Sequence, residues 1–223
     1  GLLDLSGSGQ LSLTGDFIDN DGLNGFSELG SRVVFNGSLP QAISTSGFQE
    51  EFAYLTMNKT GGSDLTLNSP ILVKATATLS TGLIMTSDPT GLLTVASTGG
   101  FFGASNASFI HGPLVQYGGT AGTNKGYPIG KGNGMRAISF RPVASSTTDA
   151  FKAEFFPFDP HVAVGIPVES PLSDISYCDY WTFERAAGSM DGQVSFGWQP
   201  PMLCPILSVP DLRIAKWDGA IWR

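Results

Sequence analysis

Short stretches of alternating apolar and polar residues recur along the first half of the chain. Residues 10–14 and 64–68 alternate strictly, and residues 73–79 continue the pattern over a longer run. Alternation with a period of two predicts half-buried β-strands. Clusters of Gly, Asn, Asp and Ser separate these stretches and are typical of turns. Since no stretch shows sustained helical periodicity, the first half is predicted to be all-β.

Two architectures accommodate such a pattern. In an antiparallel sandwich the strands are joined by hairpins, whereas in a parallel β-solenoid each strand stacks on its equivalent in the next coil. Three short sequence segments resemble one another, at residues 12–15, 63–69 and 75–82, and this similarity favours the solenoid. We therefore predict a β-solenoid-like repeat region over residues 1–111. Because an open solenoid end needs covering, this region is expected to continue N-terminally in a longer polypeptide.

The second half has longer strand candidates and more aromatic residues. Its alternating stretches cover residues 135–141, 151–156, 180–185, 193–198 and 212–217, and all four Trp and both Cys lie here. Five or more strands in about 110 residues predict an antiparallel, Ig-like β-sandwich. We place it at residues 112–223, after the boundary near His111-Gly112-Pro113, and expect it to be truncated C-terminally. The charge also changes at this boundary, from a net −6 before it to −1 after it.

Composition and charge narrow the function classes. The 223 residues include 29 Gly, only 14% are charged, and the net charge is −7. The acidic balance and the lack of a Lys/Arg cluster argue against a nucleic-acid partner. No apolar run approaches the roughly 18 residues that a membrane-spanning helix needs. These features predict an extracellular all-β protein.

A series of short sequence motifs points to a family. They stand at residues 32–38, 41–44, 54–59, 67–70, 104–113, 127–132, 178–182 and 211–219. In this order they resemble the surface proteins that the type IX secretion system of the Bacteroidota exports. The resemblance covers nearly the whole chain and implies a secreted, repetitive, adhesin-like or structural protein at the cell surface. It carries no catalytic motif.

The two cysteines are candidates for a disulfide. Cys178 and Cys204 flank two predicted strands, and an oxidising compartment favours their pairing. Closing this loop would stabilise the fold by about 3.5 kcal/mol on the chain-entropy model. The alternative is a pair of buried free thiols.

A calcium site is the weak metal candidate in this sequence. Asp19, Asp21, Gly22 and Glu28 occupy the third, fifth, sixth and twelfth places of an EF-hand-like loop, but Phe17 stands at the first place. A turn rich in Asp and Asn explains the same residues without a metal. Apart from this candidate, no metal site and no cofactor are predicted.

No catalytic constellation stands out. His111 and His161 are the only histidines, and no Gly-x-Ser-x-Gly elbow surrounds a serine nucleophile. The glycine-rich residues 130–134 lack the spacing of a phosphate-binding loop. Asn36, Asn58 and Asn106 stand in Asn-x-Ser/Thr motifs, which a bacterial protein is expected to leave unmodified. The chain is therefore predicted not to be an enzyme.

The leading functional hypothesis is a structural or adhesive segment of a secreted cell-surface protein or filament. It would act as a rigid spacer or self-associating unit, with other copies or other domains of the same protein as partners. The alternative is a carbohydrate-binding module that stacks surface glycans on aromatic side chains, with Trp198, Trp217 and Trp222 as the candidates. A second alternative is a non-catalytic accessory region of a secreted hydrolase.

Overall fold

The structure is a computed structural model that describes residues 2–5, 7, 9–22, 25–27, 30–132, 134–165, 167–197 and 212–223. The described residues form an all-β protein with a β-solenoid arrangement of about six turns. No helix among them is long and apolar enough to cross a membrane. The sequence-based prediction of an all-β fold with a solenoid is therefore confirmed.

Sixteen strands build the six coils of the solenoid. In chain order they are β1 (Leu3–Asp4), β2 (Gln10–Leu13), β3 (Phe17–Asp19), β4 (Phe26–Ser27), β5 (Arg32–Phe35), β6 (Gln41–Thr45), β7 (Glu50–Asn58), β8 (Leu65–Leu67), β9 (Ile71–Thr81), β10 (Ile84–Met85), β11 (Leu93–Val95), β12 (Gly100–Phe102), β13 (Ile110–His111), β14 (Leu114–Gly119), β15 (Lys125–Tyr127) and β16 (Ile129–Lys131). We call this part the coil stack. The coils begin at residues 3, 26, 50, 71, 93 and 114, so one coil takes about 22 residues.

Three parallel ladders run along the coil stack. The long strand β9 contributes to two of them, because Ile71–Val73 pairs with β11 and Thr76–Thr78 pairs with β12. Strand β7 also turns a corner, at a register shift between Phe52 and Tyr54. The third ladder joins β3, β6, β8, β10, β13 and β16 in parallel. Each coil therefore presents up to three faces around one interior.

Similar residues stack on one another inside the coils. The third ladder aligns Leu65, Ile84, Ile110 and Ile129, all with 0% exposure. The second ladder aligns Val33, Leu55 and Ala77 from coil to coil. Equivalent side chains on neighbouring strands lie about 4.8 Å apart, so residues of similar shape pack without gaps. This continuous row, and not any single coil, forms the hydrophobic core.

The remaining elements reverse direction at the last coil. They are β17 (Gly134–Met135), β18 (Ile138–Pro142), β19 (Ser146–Phe156), α1 (Pro160–Ala163), β20 (Tyr180–Ala187) and β21 (Gly192–Phe196). Strands β17, β18 and β19 pair antiparallel with β16, β15 and β14, respectively. Strands β20 and β21 then add to β19 and β18. We call β17–β21 the antiparallel cap, because it covers the last strand of every face.

The expected Ig-like sandwich over residues 112–223 is not confirmed. Strand β14 follows the predicted boundary near His111, yet it pairs in parallel with β11 and antiparallel with β19. Strand β13 likewise pairs with β16 across the boundary. Two ladders therefore continue from the first half into the second. The sequence pattern did not reveal this because strands of either direction alternate with the same period of two.

Candidate functional site

Two parts of the coil stack depart from its regular packing, and the first is the edge of the first coil. Among the described residues, strands β1, β2 and β3 each have a paired neighbour on one side only. Leu11 and Leu13 are half-buried, whereas their partners in the second coil, Val33 and Phe35, have 0% exposure. The exposed Leu3 and Ile18 lie on the same coil. We call strands β1–β3 the first-coil edge.

The second departure is a groove in the second face. Strand β12 pairs with β9, but β15 belongs to a separate sheet with β18 and β21, so the ladder is interrupted between β12 and β15. The cavity that results measures about 520 Å³. We call it the β12–β15 groove. Seventeen residues line it: Ser97, Thr98, Gly99, Gly100, Phe101, Ala104, Gln116, Gly119, Thr120, Thr123, Asn124, Lys125, Gly126, Tyr127, Pro128, Met135 and Ala137.

A polar residue replaces an aliphatic one where the groove meets the core. The interior row of the first ladder runs from Phe52 through Val73 and Val95 to Gln116. The Gln116 side chain is 1% exposed, and its Nε2 donates a hydrogen bond of 2.7 Å to the carbonyl of Gly126. Its Oε1 is buried and has no hydrogen-bond partner. A buried acceptor without a donor is rare in proteins, so this atom marks the groove for a ligand or a water.

Lys125 holds one end of the groove together. Its Nζ donates to the carbonyls of Ala96, Ser97 and Tyr117 at 3.2, 3.1 and 2.8 Å. An ammonium group has three protons, so these bonds use its whole donor capacity. Burial lowers the pKa of Lys125 to about 8. The lysine is therefore a structural link between the turn after β11 and strand β14, and these three bonds leave it no further N–H donor for the groove.

A second buried lysine lies deeper in the coil stack. Lys59 is 2% exposed, and its Nζ donates to the carbonyl of Leu39 at 2.7 Å and to Gln41 Oε1. Gln41 in turn donates to the carbonyl of Leu13 at 3.1 Å and to that of Gly15. Burial lowers the pKa of Lys59, and the nearby carboxylates of Asp64 and Asp16 oppose this shift. The pair joins three coils at one corner and is not among the residues that line the β12–β15 groove.

The calcium candidates Asp19 and Asp21 are part of a turn in the structure, and the calcium site stays a prediction. Asp19 ends strand β3, is 7% exposed, and accepts a hydrogen bond of 2.8 Å from the Asp21 backbone through Oδ1. This is the Asp turn that the sequence allowed as the alternative. Glu28 lies outside the described residues. Among the described residues no group of three or more His, Cys, Asp or Glu could hold a metal ion.

The disulfide stays a prediction. Cys178 is half-buried immediately before β20, and Cys204 lies outside the described residues. Within the loop from Glu169 to Asp179, Asp174 accepts from the hydroxyl of Tyr177 at 2.5 Å, and it also lies 3.3 Å from His161 outside the loop.

The predicted tryptophan platform does not form from the residues that are described. Trp217 and Trp222 lie 5.5 Å apart at an interplanar angle of 54°, and Trp222 is 8% exposed. Trp198 lies outside the described residues. The two rings pack across the bridge between their strands, where Trp222 also donates to the carbonyl of Gly165 at 3.2 Å. A flat sugar-stacking surface needs coplanar exposed rings, and this pair does not supply one.

Three other aromatic side chains, Phe156, Phe158 and Tyr180, form a cluster on the cap. Phe156 and Tyr180 lie 4.9 Å apart at 13°, and the Lys131 Nζ sits 4.2 Å from the Phe156 ring centroid. The same Nζ is 2.5 Å from Glu154 Oε1. Phe158 meets both rings edge-on. Both faces of Phe156 are therefore occupied, and the cluster connects β16, β19 and β20.

The two histidines lie in unrelated places. His111 accepts a hydrogen bond of 3.4 Å from the backbone of Gly132. His161 lies 2.7 Å from Asp159 and 3.3 Å from Asp174, and its ring stacks on Tyr177. The structure does not bring either histidine to a serine nucleophile in the hydrogen bonds of the described residues, and it brings neither to the groove.

Sequence reasoning missed the groove. The one signal of the groove in the sequence was Gln116. It lies two residues after the buried Leu114 on the same strand, so its side chain points to the same interior face. A polar residue at such a position needs a partner. The interruption between β12 and β15 depends on where strands pair, and no local pattern reports that.

The comparisons with known proteins returned no relatives. No protein-family model, no curated protein and no solved structure matches the chain.

Proposed function

We propose that the chain is a non-enzymatic structural segment of a secreted bacterial surface protein. In this proposal the coil stack is a rigid spacer, and the first-coil edge is the surface that joins it to another β-coil. The observation that supports it is the difference between the two ends of the stack. The cap covers the last strands, while the interior rows of the first coil stay half-exposed at Leu11 and Leu13.

The spacer role is supported by the continuity of the stack. Six coils at the spacing of neighbouring strands make a stack of roughly 25 Å. Each face is held by backbone ladders, and each interior row is filled by residues of 0 to a few percent exposure. Bending such a stack would break backbone hydrogen bonds on one face. The extracellular location and the type IX export route rest on the composition and on the resemblance, and they are part of the proposal.

The joining role takes another β-coil as its partner: a preceding coil of the same polypeptide or, when this chain is studied by itself in solution, a second copy. A strand edge that carries unpaired backbone groups is a template for another strand. Because the cap covers the other end, two copies that meet at their first-coil edges form a closed twofold dimer. An open filament would need a second, different surface. The proposal therefore favours dimers over the filament that the sequence alone suggested.

Sedimentation velocity over a range of protein concentrations tests the joining role. We expect a monomer–dimer equilibrium, shifted to the monomer by the double substitution Leu11→Lys and Leu13→Lys, because charges on the first-coil edge oppose pairing. Thr66→Lys is the matched control, since Thr66 is exposed in the middle of the third face. A monomer at every concentration excludes the dimer. Species larger than a dimer that persist in the double variant place the association elsewhere.

A further inference from the structure

The β12–β15 groove lies at a break in the strand pairing that organises the coil stack. Two breaks interrupt the ladders of the first five coils among the described residues: β4 pairs with β1 but not with β7, and the second face opens between β12 and β15. We propose that this groove is a binding site for a neutral sugar ring of a glycan. The inference does not depend on the structural role proposed above, since the groove lies at the opposite end of the stack from the first-coil edge.

The floor of the groove offers an unsatisfied acceptor. Gln116 Oε1 has no partner, and the Nε2 of the same side chain is fixed on the carbonyl of Gly126 at 2.7 Å. This bond fixes the orientation of the Gln116 amide, so rotation of the side chain cannot exchange the positions of Oε1 and Nε2. The group that satisfies it must be a donor; because the oxygen lies just beneath the surface of the groove, a sugar hydroxyl supplies that donor when the floor side chains move aside to admit it.

The rim of the groove supplies groups that both donate and accept. Ser97, Thr98, Thr120, Thr123 and Asn124 come from two turns that face each other, one before β12 and one before β15. Thr98, Thr123 and Asn124 are exposed. Hydroxyl and amide side chains of this kind match the hydroxyls around a pyranose ring, each of which also donates and accepts.

The wall of the groove is apolar. Phe101 is half-buried and lines the cavity beside Ala104, Pro128 and Met135. The C–H face of a sugar ring packs on such a wall, while its hydroxyls reach the rim. The volume of about 520 Å³ lies within the range of roughly 300–1,000 Å³ that is usual for small-molecule sites.

The charges of the lining favour a neutral ligand. Lys125 is the one charged residue among the lining residues, and its three protons bind the carbonyls of Ala96, Ser97 and Tyr117. An anionic sugar would therefore lose water without gaining an N–H donor from the lysine, and a cationic ligand would find no carboxylate. This distinguishes the groove from the aromatic cluster of Phe156 and Tyr180, which carries an ion pair.

Saturation-transfer NMR on the full chain tests the proposal, with cellobiose, lactose and mannobiose as neutral probes and galacturonic acid as the acidic probe. A neutral-glycan array extends the probe set. We expect saturation transfer to at least one neutral sugar and none to galacturonic acid. The double variant Thr123→Ala and Asn124→Ala should weaken the binding at least tenfold, and Phe101→Leu should weaken it several-fold by removing the ring.

Two matched controls separate this site from others. Thr66→Ala removes an exposed hydroxyl on another face, and Trp217→Ala removes the half-buried tryptophan of the predicted platform; both should leave the affinity unchanged. Melting curves of each variant show that the fold is kept. Absence of binding by the wild type to every neutral glycan on the array overturns the proposal. So does binding that the rim variant leaves intact, or that an extended peptide displaces by pairing with β12.

Discussion

The coil stack and the antiparallel cap fill their interiors with different side chains. In the stack, Leu65, Ile84, Ile110 and Ile129 lie directly above one another, because parallel strands in register repeat the same contact. In the cap, the interior is a cluster of rings. Phe151 lies 4.1 Å from Phe140 and is stacked on Phe183 at 5.5 Å.

The difference follows from strand direction. A parallel stack presents the same spacing to every coil, so an aliphatic residue can repeat at one position from coil to coil; rings occur in the first three coils, where Phe17, Phe26 and Phe52 contact one another. The cap strands reverse and cross the end of the stack, and the spaces between them do not repeat. Large rings with edge and face contacts fill such irregular spaces. Tyr127, which is 1% exposed, lies at the junction and contacts Phe183 at 5.6 Å. The cap therefore belongs to the stack, since one hydrophobic cluster includes buried residues of both.

The largest effect is expected from Phe151→Ala in the cap. Phe151 is 4% exposed and contacts two other rings, so its truncation should cost about 3–5 kcal/mol of unfolding free energy. All four tryptophans follow residue 180, so their fluorescence reports the cap side, whereas far-ultraviolet circular dichroism reports all strands. We expect both signals to shift together, because β14 and β19 share a ladder. A shift of the fluorescence transition alone would show two independent domains.

Loss of the predicted disulfide should have the next largest effect. Cys178→Ser, or reduction of the wild type, is expected to remove about 3.5 kcal/mol on the chain-entropy model. Since the bridge would join segments on the cap side, its loss should also test whether the stack unfolds with the cap. Mass spectrometry without reductant measures whether the two thiols are paired. An unchanged melting temperature on addition of reductant contradicts the bridge.

Gly91→Ala tests the coil stack at one backbone contact. A Cβ at residue 91 would lie 1.8 Å from the carbonyl oxygen of Leu67 in the coil beside it. The two strands must separate to admit it, and we expect a loss of about 1–3 kcal/mol. Gly15→Ala is the control, because its Cβ meets nothing within 4 Å. Chemical denaturation of the two variants measures the difference; equal stabilities would mean that the coils tolerate local separation.

The smallest expected change in stability concerns Asp149 of the cap and its response to acid pH. Asp149 accepts hydrogen bonds from Ser146 Oγ and from the backbone of Met190 and Ser189, and these lower its pKa from 3.8. A lowered carboxyl pKa stabilises the folded state at neutral pH, and this stabilisation is lost as the pH falls below about 4. Asp149→Asn should therefore melt slightly lower than the wild type at pH 7. The two should converge near pH 2, and a constant difference across this range would contradict the assignment.

Local patterns determined the secondary structure and much of the architecture. Alternation at residues 10–14, 64–68 and 73–79 marked β2, β8 and β9, and the repeated phrases favoured the solenoid. These signals are local, because a half-buried strand needs only an apolar residue at every second position. The Asp19 turn was also readable, since the side chain binds its own backbone two residues on.

Tertiary structure alone decided the rest. Alternation is the same for parallel and antiparallel strands, so the sequence could not tell that residues 146–156 would extend the ladder of β14 as a cap. The β12–β15 groove arises because β15 pairs with β18 but not with β12, whereas β14 and β16 pair both with the cap and with the coil before them; whether two such distant strands pair is a long-range choice. The positions of Gln116 and Lys125 in the lining of the groove depend on that choice. Strand pairing is a long-range contact, and the free energy that selects one partner over another depends on the whole stack.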